Sequence, residues 1–170
     1  HRFDFGGGLG IHYEKQDLIS ENELLKKYAD VVFSELASLK KEIPEIEIQS
    51  EPGRWLVGHC GVLLSQVQYV KKTPHKEFII LDSGMNHLLR PSLYEAYHCI
   101  HALKNTGSLK TYDVVGPICE SADFFGKDRE LNEVKQDDFV VVRDCGAYAA
   151  TMSSDYNLQE RAQEISTADF

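Results

Sequence analysis

The first part of the chain combines short alternating segments with one long helical pattern. Apolar and polar residues alternate at residues 2–5, immediately before a run of glycines. Apolar residues then recur every three or four positions, the spacing of one helix face, which predicts a helix over residues 21–41. A second alternating segment covers residues 46–48. This order of strand, helix and strand predicts a βαβ unit with parallel strands.

Signals at both ends of the predicted helix define its limits. Ser20 and Glu23 have the spacing of a capping box, in which two side chains bond to the amides of the first turn. Lys40 and Lys41 suit the negative end of the helix dipole, and Pro44 prevents continuation. We therefore expect the helix to begin directly after Ser20.

Beyond residue 60 the pattern changes to successive strands joined by loops. Such a series is typical of an antiparallel sandwich or barrel, and the predicted strands cover residues 62–72, 77–81, 97–103, 111–115 and 139–143. A short helix is predicted over residues 144–152. A single βαβ unit cannot cover both faces of a sheet, so residues 1–58 are predicted to end a larger parallel-sheet domain. Residues 59–157 would form a β domain, and residues 158–170 a polar tail.

Charge and composition exclude several classes of protein. The formal net charge is −9, and no basic face is visible, which argues against nucleic-acid binding. The longest uninterrupted apolar runs are far shorter than the roughly 20 residues of a membrane helix. Four cysteines follow no CxxC spacing, which favours reduced thiols in a cytoplasmic protein.

Two loops after the first two strands have the composition of an anion site. Gly6-Gly7-Gly8 follows the first strand, and Glu51-Pro52-Gly53-Arg54 follows the second. Loops after neighbouring parallel strands lie side by side, so the guanidinium could reach an anion held by glycine amides. Each motif alone is also compatible with an ordinary turn.

Six motifs in this order resemble the diaminopimelate decarboxylases, a family of pyridoxal phosphate (PLP) enzymes. The motifs are GGGLG, EPGR, DSGMN, RPSLY, GPICES and GAY, and the resemblance runs from residue 3 to about residue 157. It implies an α/β plus all-β chain of alanine racemase-like fold. The last strands of a (β/α)8 PLP-binding barrel would precede a C-terminal antiparallel β-sandwich or Greek-key barrel.

The resemblance implies residues for the cofactor. The carboxylate of Glu51 would keep the pyridine nitrogen protonated, because a nearby negative charge favours the charged form. Tyr148 would contact both cofactor and substrate, and Arg54 is also implied in substrate binding. The phosphate would be held by the two loops, through Gly6, Gly7, Gly8, Gly53 and Arg54.

It also implies residues for the substrate. After loss of CO2 the α-carbon needs a proton, and a thiol, mostly protonated at neutral pH, can donate it; this catalytic role falls to Cys119. Glu120 would bind the distal ammonium group, and Arg90 with Tyr94 the distal carboxylate, for which arginine offers a two-pronged fork. The implied reaction converts meso-diaminopimelate into L-lysine and CO2.

The family resemblance further implies homodimers with shared active sites, in which Cys119 and Glu120 serve the partner's cofactor. The family's cofactor-binding lysine has no counterpart among Lys15, Lys26, Lys27, Lys40 and Lys41, so the isolated chain is expected to be inactive. Two alternatives stay open. One is a non-catalytic, decarboxylase-like binding or regulatory protein, and the other is a related decarboxylase of D-ornithine or D-lysine.

The remaining histidines and cysteines are interpreted as structural. His98 and Cys99 would point to opposite faces of a strand, which does not suit a metal site with four convergent ligands. Cys60, Cys99 and Cys145 are expected to be small buried side chains. The sequence therefore predicts no metal site.

Overall fold

A computed structural model describes residues 1–14 and 18–169 of the chain. Its internal contacts divide it into two compact units, His1–Gly58 and His59–Phe170. Among the described residues, no helix is both long enough and apolar enough to cross a bilayer. Lys15, one of the lysines compared with the family motif, lies outside the described residues.

The first unit contains the predicted βαβ arrangement. Its elements are β1 (Arg2–Asp4), α1 (Leu18–Glu42), β2 (Glu47–Gln49) and a short helix α2 (Gly53–Val57). Strands β1 and β2 pair in parallel, with Phe3 opposite Ile48. The parallel pairing confirms the prediction, and it sends the chain out of both strands at the same edge.

Helix α1 begins earlier than predicted. It starts at Leu18, so Ser20 lies inside its first turn and the predicted capping box is wrong. The carboxylate of Glu21 instead accepts a hydrogen bond from the backbone N–H of His12 at 2.8 Å. This contact ties the preceding loop to the helix. The predicted basic residues do lie in the last turn, and the helix ends at Glu42.

The second unit is built on one six-stranded sheet that is nearly closed into a barrel. Its edge strands β5 and β7 lie against each other, so a barrel rather than a two-sheet sandwich forms. The strand order is β5-β8-β3-β4-β6-β7. The strands are β3 (Leu63–Lys72), β4 (Glu77–Leu81), β5 (Ile100–Ala102), β6 (Leu109–Val115), β7 (Phe124–Asn132) and β8 (Phe139–Val142).

Strand directions bring three loops to one end of this sheet. Strand β4 pairs in parallel with β6, and β3 is antiparallel to both β4 and β8. Strands β4, β6 and β8 therefore run in the same direction, and their carboxyl ends lie at the same end of the sheet. The loops that follow them carry DSGMN, GPICES and GAY respectively. A short helix, α3 (Arg90–Tyr94), continues the first of these loops.

The structure differs from the sequence-based expectation at two other places in this unit. Strand β7 was not predicted, because its charged segment 127–130 hides the alternation and Asp128 adopts a positive φ of 52°. The predicted helix over residues 144–152 is wrong. Asp144 and Tyr148 each have a φ of 61°, which interrupts a right-handed helix. Only Ala150–Met152 forms a 3₁₀ turn.

The core of the second unit lies on the inner face of the sheet. Fully buried aliphatic side chains alternate along the central strands β3, β4 and β8, namely Val67, Ile79, Leu81, Val140 and Val142. Each such side chain contributes about 1.5–3 kcal/mol when it is removed from water. This packing supplies a rigid base for the three loops.

Candidate active site

The two predicted anion-binding loops of the first unit lie in direct contact. The backbone N–H of Glu51 donates to the carbonyl of Gly6 at 2.8 Å, and the Ser50 hydroxyl donates to the same carbonyl at 3.2 Å. A Cβ on Gly7 would lie only 2.4 Å from the carbonyl oxygen of Glu51. The expectation that these loops are neighbours is therefore confirmed.

The local shape of these loops fits the phosphate end of PLP. Gly6 and Gly8 have φ values of 74° and 91°, and a Cβ on either would meet nothing within 4 Å. The loop therefore presents bare backbone. Arg54, which is half-buried, lies in α2, three residues after Glu51. Two of the predicted amide donors are already engaged within the loops. Gly6 N–H donates to the Asp4 carboxylate, and Gly53 N–H donates to the Glu51 carbonyl, each at 2.8 Å.

In the second unit, the remaining predicted site residues lie on the three loops or on α3. Cys119 and Glu120 are exposed on the loop after β6. Tyr94 is 63% exposed on α3, whereas Arg90 at the start of that helix is buried, with 7% exposure. Tyr148, 43% exposed, follows β8. All five therefore lie at the end of the sheet defined by the parallel strands.

A buried carboxylate joins the first two of these loops. Asp123 Oδ1 accepts from the backbone N–H of Met85 at 2.7 Å, and Oδ2 accepts from that of Ile118 at 2.6 Å. Gly84 and Gly116 make room for it, because a Cβ on Gly116 would lie 2.5 Å from both carboxylate oxygens. Burial raises the pKa of the Asp123 carboxyl, while the two N–H donors oppose that shift. No sequence motif predicts a role for Asp123.

Helix α3 is attached to the loop that carries Cys119. The Ser92 hydroxyl donates to the carbonyl of Ala122 at 2.5 Å. Together with Asp123, this bond links the predicted carboxylate-binding helix to the predicted proton donor. An arginine and an exposed glutamate are thereby attached to one connected set of loops.

Arg90 has a buried histidine as a partner. Its guanidinium nitrogen Nη1 lies 2.8 Å from Nε2 of His98, which is fully buried. The sequence offered His98 only as a weak candidate metal ligand. The described residues contain no group that could hold a metal ion, and the structure gives His98 a different contact instead.

The loop that carries Tyr148 is fixed by residues of the segment that precedes β3. The imidazole of His59 lies 2.6 Å from the buried carboxylate of Asp144. The N–H of Cys145 donates to the carbonyl of Gly61 at 2.8 Å. A Cβ on Gly61 would lie 2.8 Å from the backbone of Gly146, so the segment before β3 packs closely against the loop that follows β8. This packing holds the loop that carries Tyr148 at the same end of the sheet as the other two loops.

The cysteines differ in exposure. Cys145 is buried as expected, and burial raises its pKa to about 12. Cys99 is half-buried, with a pKa that burial also raises. Cys60 is exposed, so its expected burial is wrong. Its place in the short 3₁₀ turn Gly58–Cys60, ahead of the sheet, accounts for the difference.

Comparison with known proteins places this arrangement in a family. Residues 13–146 match the family model described as pyridoxal-dependent decarboxylase, C-terminal sheet domain. The chain belongs to this family. PLP is therefore the cofactor of the family whose motifs the chain carries.

The similar curated decarboxylases are considerably longer than this chain. The diaminopimelate decarboxylase of Campylobacter jejuni is 43% identical over 96% of the chain, which spans 39% of that relative. The Aquifex aeolicus diaminopimelate decarboxylase is 43% identical over 95% of the chain and 37% of its own length. The chain thus spans about two fifths of the relatives that it matches.

Solved decarboxylase structures share the fold. The diaminopimelate decarboxylase of M. jannaschii in complex with L-lysine has a TM-score of 0.85 and 37% identity, over 94% of this chain and 36% of that one. A lysine/ornithine decarboxylase of Vibrio vulnificus in complex with cadaverine has a TM-score of 0.78 at 24% identity, over 95% and 42% of the two chains. The second likeness concerns the fold alone.

Proposed function

We propose that the chain is the C-terminal portion of an enzyme that decarboxylates meso-diaminopimelate to L-lysine and CO2. The observation that carries the proposal is the bonded set of loops in the second unit. It joins the helix that begins at Arg90 to the loop that exposes Cys119 and Glu120. A substrate with two amino-acid ends needs a cation and an anion away from the reacting carbon, and these residues supply both.

The loops of the first unit would hold the cofactor. The Arg54 guanidinium and the glycine-loop amides would bind the phosphate of PLP. The carboxylate of Glu51 would keep a proton on the ring nitrogen. Bound PLP supplies an acceptor for the electron pair that stays behind when CO2 leaves. In this proposal the unit His1–Gly58 is the last part of a (β/α)8 barrel.

Cys119 would complete the reaction as a proton donor. Its Sγ–H would give a proton to the α-carbon, where the electron pair forms the new C–H bond, and the thiolate would regain a proton from solvent. Exposure of this thiol on a loop suits delivery into a site outside its own unit. We accordingly propose a cytoplasmic homodimer in which Cys119 and Glu120 serve the partner subunit's cofactor, and Tyr148 contacts cofactor and substrate.

Selectivity would come from the distal end of the substrate. Arg90 can bind a carboxylate through two parallel N–H donors, and a lysine in its place would offer only a point charge. Tyr94 would add a hydroxyl donor, and Glu120 would accept from the distal ammonium group. An amino acid with only an amine at that end offers no carboxylate to the Arg90 guanidinium.

The experiment measures CO2 release with PLP in a full-length protein that contains this chain. We expect turnover of meso-diaminopimelate and little turnover of D-ornithine or D-lysine. Arg90→Lys should reduce kcat/KM for diaminopimelate at least about tenfold, whereas Arg161→Lys in the exposed tail should not change it. Preference for D-ornithine or D-lysine would favour the related decarboxylases, and absence of turnover would favour a non-catalytic binding protein.

The isolated 170-residue chain provides a second test. Because it contains no counterpart of the family's cofactor-binding lysine, we expect no CO2 release from it alone. Adding a separately expressed N-terminal barrel fragment should restore turnover. Turnover by the chain without that fragment would contradict this part of the proposal.

A further inference from the structure

His98 lies between α3 and β5 and connects two separate segments of the second unit. Its Nε2 lies 2.8 Å from Nη1 of Arg90, and its Nδ1 lies 2.8 Å from the backbone carbonyl oxygen of Arg143. Arg143 follows β8, so one imidazole ring reaches from the start of α3 to another loop at the same end of the sheet. Both ring nitrogens therefore have defined partners.

The chemistry of these two partners sets the tautomer. A carbonyl oxygen can only accept, so Nδ1 must carry a hydrogen and donate it to Arg143. A guanidinium N–H can only donate, so Nε2 must be without hydrogen and accept from Arg90. His98 is therefore neutral, with its proton on Nδ1.

The charged groups around His98 favour this neutral form. Arg90 on α3 and Arg129 on β7 oppose a further positive charge, while Asp144 and the Arg143 carbonyl favour one. Burial has the largest effect, and the net result is a pKa below the usual value for histidine. A protonated ring would also place two N–H donors face to face at Arg90, so protonation would break the contact.

We propose that His98 is a positioning residue, which as a neutral Nδ1–H imidazole holds the Arg90 guanidinium in the orientation that binds the substrate's second carboxylate. The inference rests on the role of Arg90 in the proposed function. Arginine has several side-chain torsions, and fixing one nitrogen of its planar group restricts the rotation that would misalign a two-pronged contact. His98 does not need to touch the substrate.

The first test is independent of catalysis. In the chain labelled with 15N-histidine, NMR identifies which ring nitrogen of each histidine carries the hydrogen. His98→Gln assigns the signal among the seven histidines. We expect a neutral ring with hydrogen on Nδ1 at pH 7, unchanged through pH 6.5. An Nε2–H tautomer, or a ring that carries hydrogen on both nitrogens at pH 6.5, would overturn the inference.

The second test separates the two bonds with a matched pair of variants. The amide oxygen of glutamine can occupy the place of Nε2, so His98→Gln keeps an acceptor for Arg90. The amide of asparagine reaches only the place of Nδ1, so His98→Asn keeps the bond to Arg143 and removes the acceptor that His98 provides to Arg90. Unfolding in urea verifies that both variants fold, and His101→Gln serves as the control.

The readout is the split between KM and kcat in the full-length holoprotein. We expect His98→Asn to raise KM for meso-diaminopimelate about tenfold, with kcat within about twofold. Inhibition by D-lysine should stay unchanged, because D-lysine has no carboxylate at its distal end. The KM of His98→Gln should lie closer to the KM of the unchanged protein. Equal effects of the two variants, or an equal loss of D-lysine binding, would overturn the inference. Absence of turnover by the unchanged protein would overturn the proposed function and, with it, the role of His98 in substrate binding. The NMR measurement would still decide separately whether His98 is the neutral Nδ1–H tautomer.

Discussion

Replacement of Gly7 by alanine tests the contact between the two loops of the first unit. The new Cβ would lie 2.4 Å from the carbonyl oxygen of Glu51, whereas ordinary contacts begin at 3.4 Å. The loops must therefore separate by about 1 Å. The obstructing atom belongs to the backbone, so no side-chain rotation can relieve the overlap.

The cost follows from what this separation breaks. The hydrogen bond from Glu51 N–H to the Gly6 carbonyl, now 2.8 Å long, would stretch beyond a useful length, a loss of about 1 kcal/mol. Overpacking adds about 1–3 kcal/mol. Alanine also lowers the conformational entropy of the unfolded chain, which raises the free energy of unfolding by about 0.4–1 kcal/mol and offsets part of this loss. We expect Gly7→Ala to lower the free energy of unfolding by about 1–3 kcal/mol.

The assay is urea unfolding followed by the fluorescence of the single tryptophan. Trp55 lies in α2, directly after the second loop, so its emission reports on this unit. Gly10→Ala is the matched control, because a Cβ at that position meets nothing within 4 Å. In full-length protein, Gly7→Ala should also weaken PLP binding relative to the control. Equal unfolding midpoints for the two variants would refute the reasoning about the contact.

Three further predictions concern the second unit. Asp123→Asn should lower the free energy of unfolding by about 1–3 kcal/mol, because one backbone N–H would face an amide NH2. The control Asp155→Asn, at an exposed position, should leave the free energy of unfolding nearly unchanged. A thiol reagent at neutral pH should modify Cys119 long before Cys145, whose pKa is raised to about 12. The masses of the cysteine-containing peptides after digestion measure the order, and equal rates would contradict it. The depressed pKa of His98 means that its contribution to stability is present above pH 6.5 and is lost as pH falls through the lower folded-state value. Unfolding in urea between pH 5 and 7 should show this slope in the parent protein and a smaller one in His98→Gln.

Regular patterns in the sequence predict most of the framework. The ends of β4 agree with the predicted segment 77–81, because that strand is apolar and is bounded by turn residues. The missed strand β7 carries charges on both faces and bends at Asp128. Its position is determined by pairing with β6, a long-range effect that local alternation does not contain. The same limit explains why the start of α1 was misplaced, since Glu21 bonds to the preceding loop.

The candidate site divides in a similar way. Its exposed members, such as Cys119 and Glu120, could be predicted from motifs of consecutive residues. The buried members that orient them were missed, because Asp123 and His98 are single polar residues without a distinctive spacing. Their partners Met85 and Arg143 are 38 and 45 positions away. Only the folded chain brings these groups together.

The three loops owe their common position to the sheet and their conformation to buried polar groups. Parallel β4 and β6, within an otherwise antiparallel arrangement, direct two loops to one end, and β8 adds a third. Loops of this kind expose backbone polar groups that must be satisfied. A carboxylate at Asp123 accepts from two of them, and an imidazole at His98 donates to a third while it accepts from Arg90. Because each of these bonds also fixes a proposed substrate contact, substitutions at Asp123 or His98 should impair substrate recognition even where the sheet stays folded.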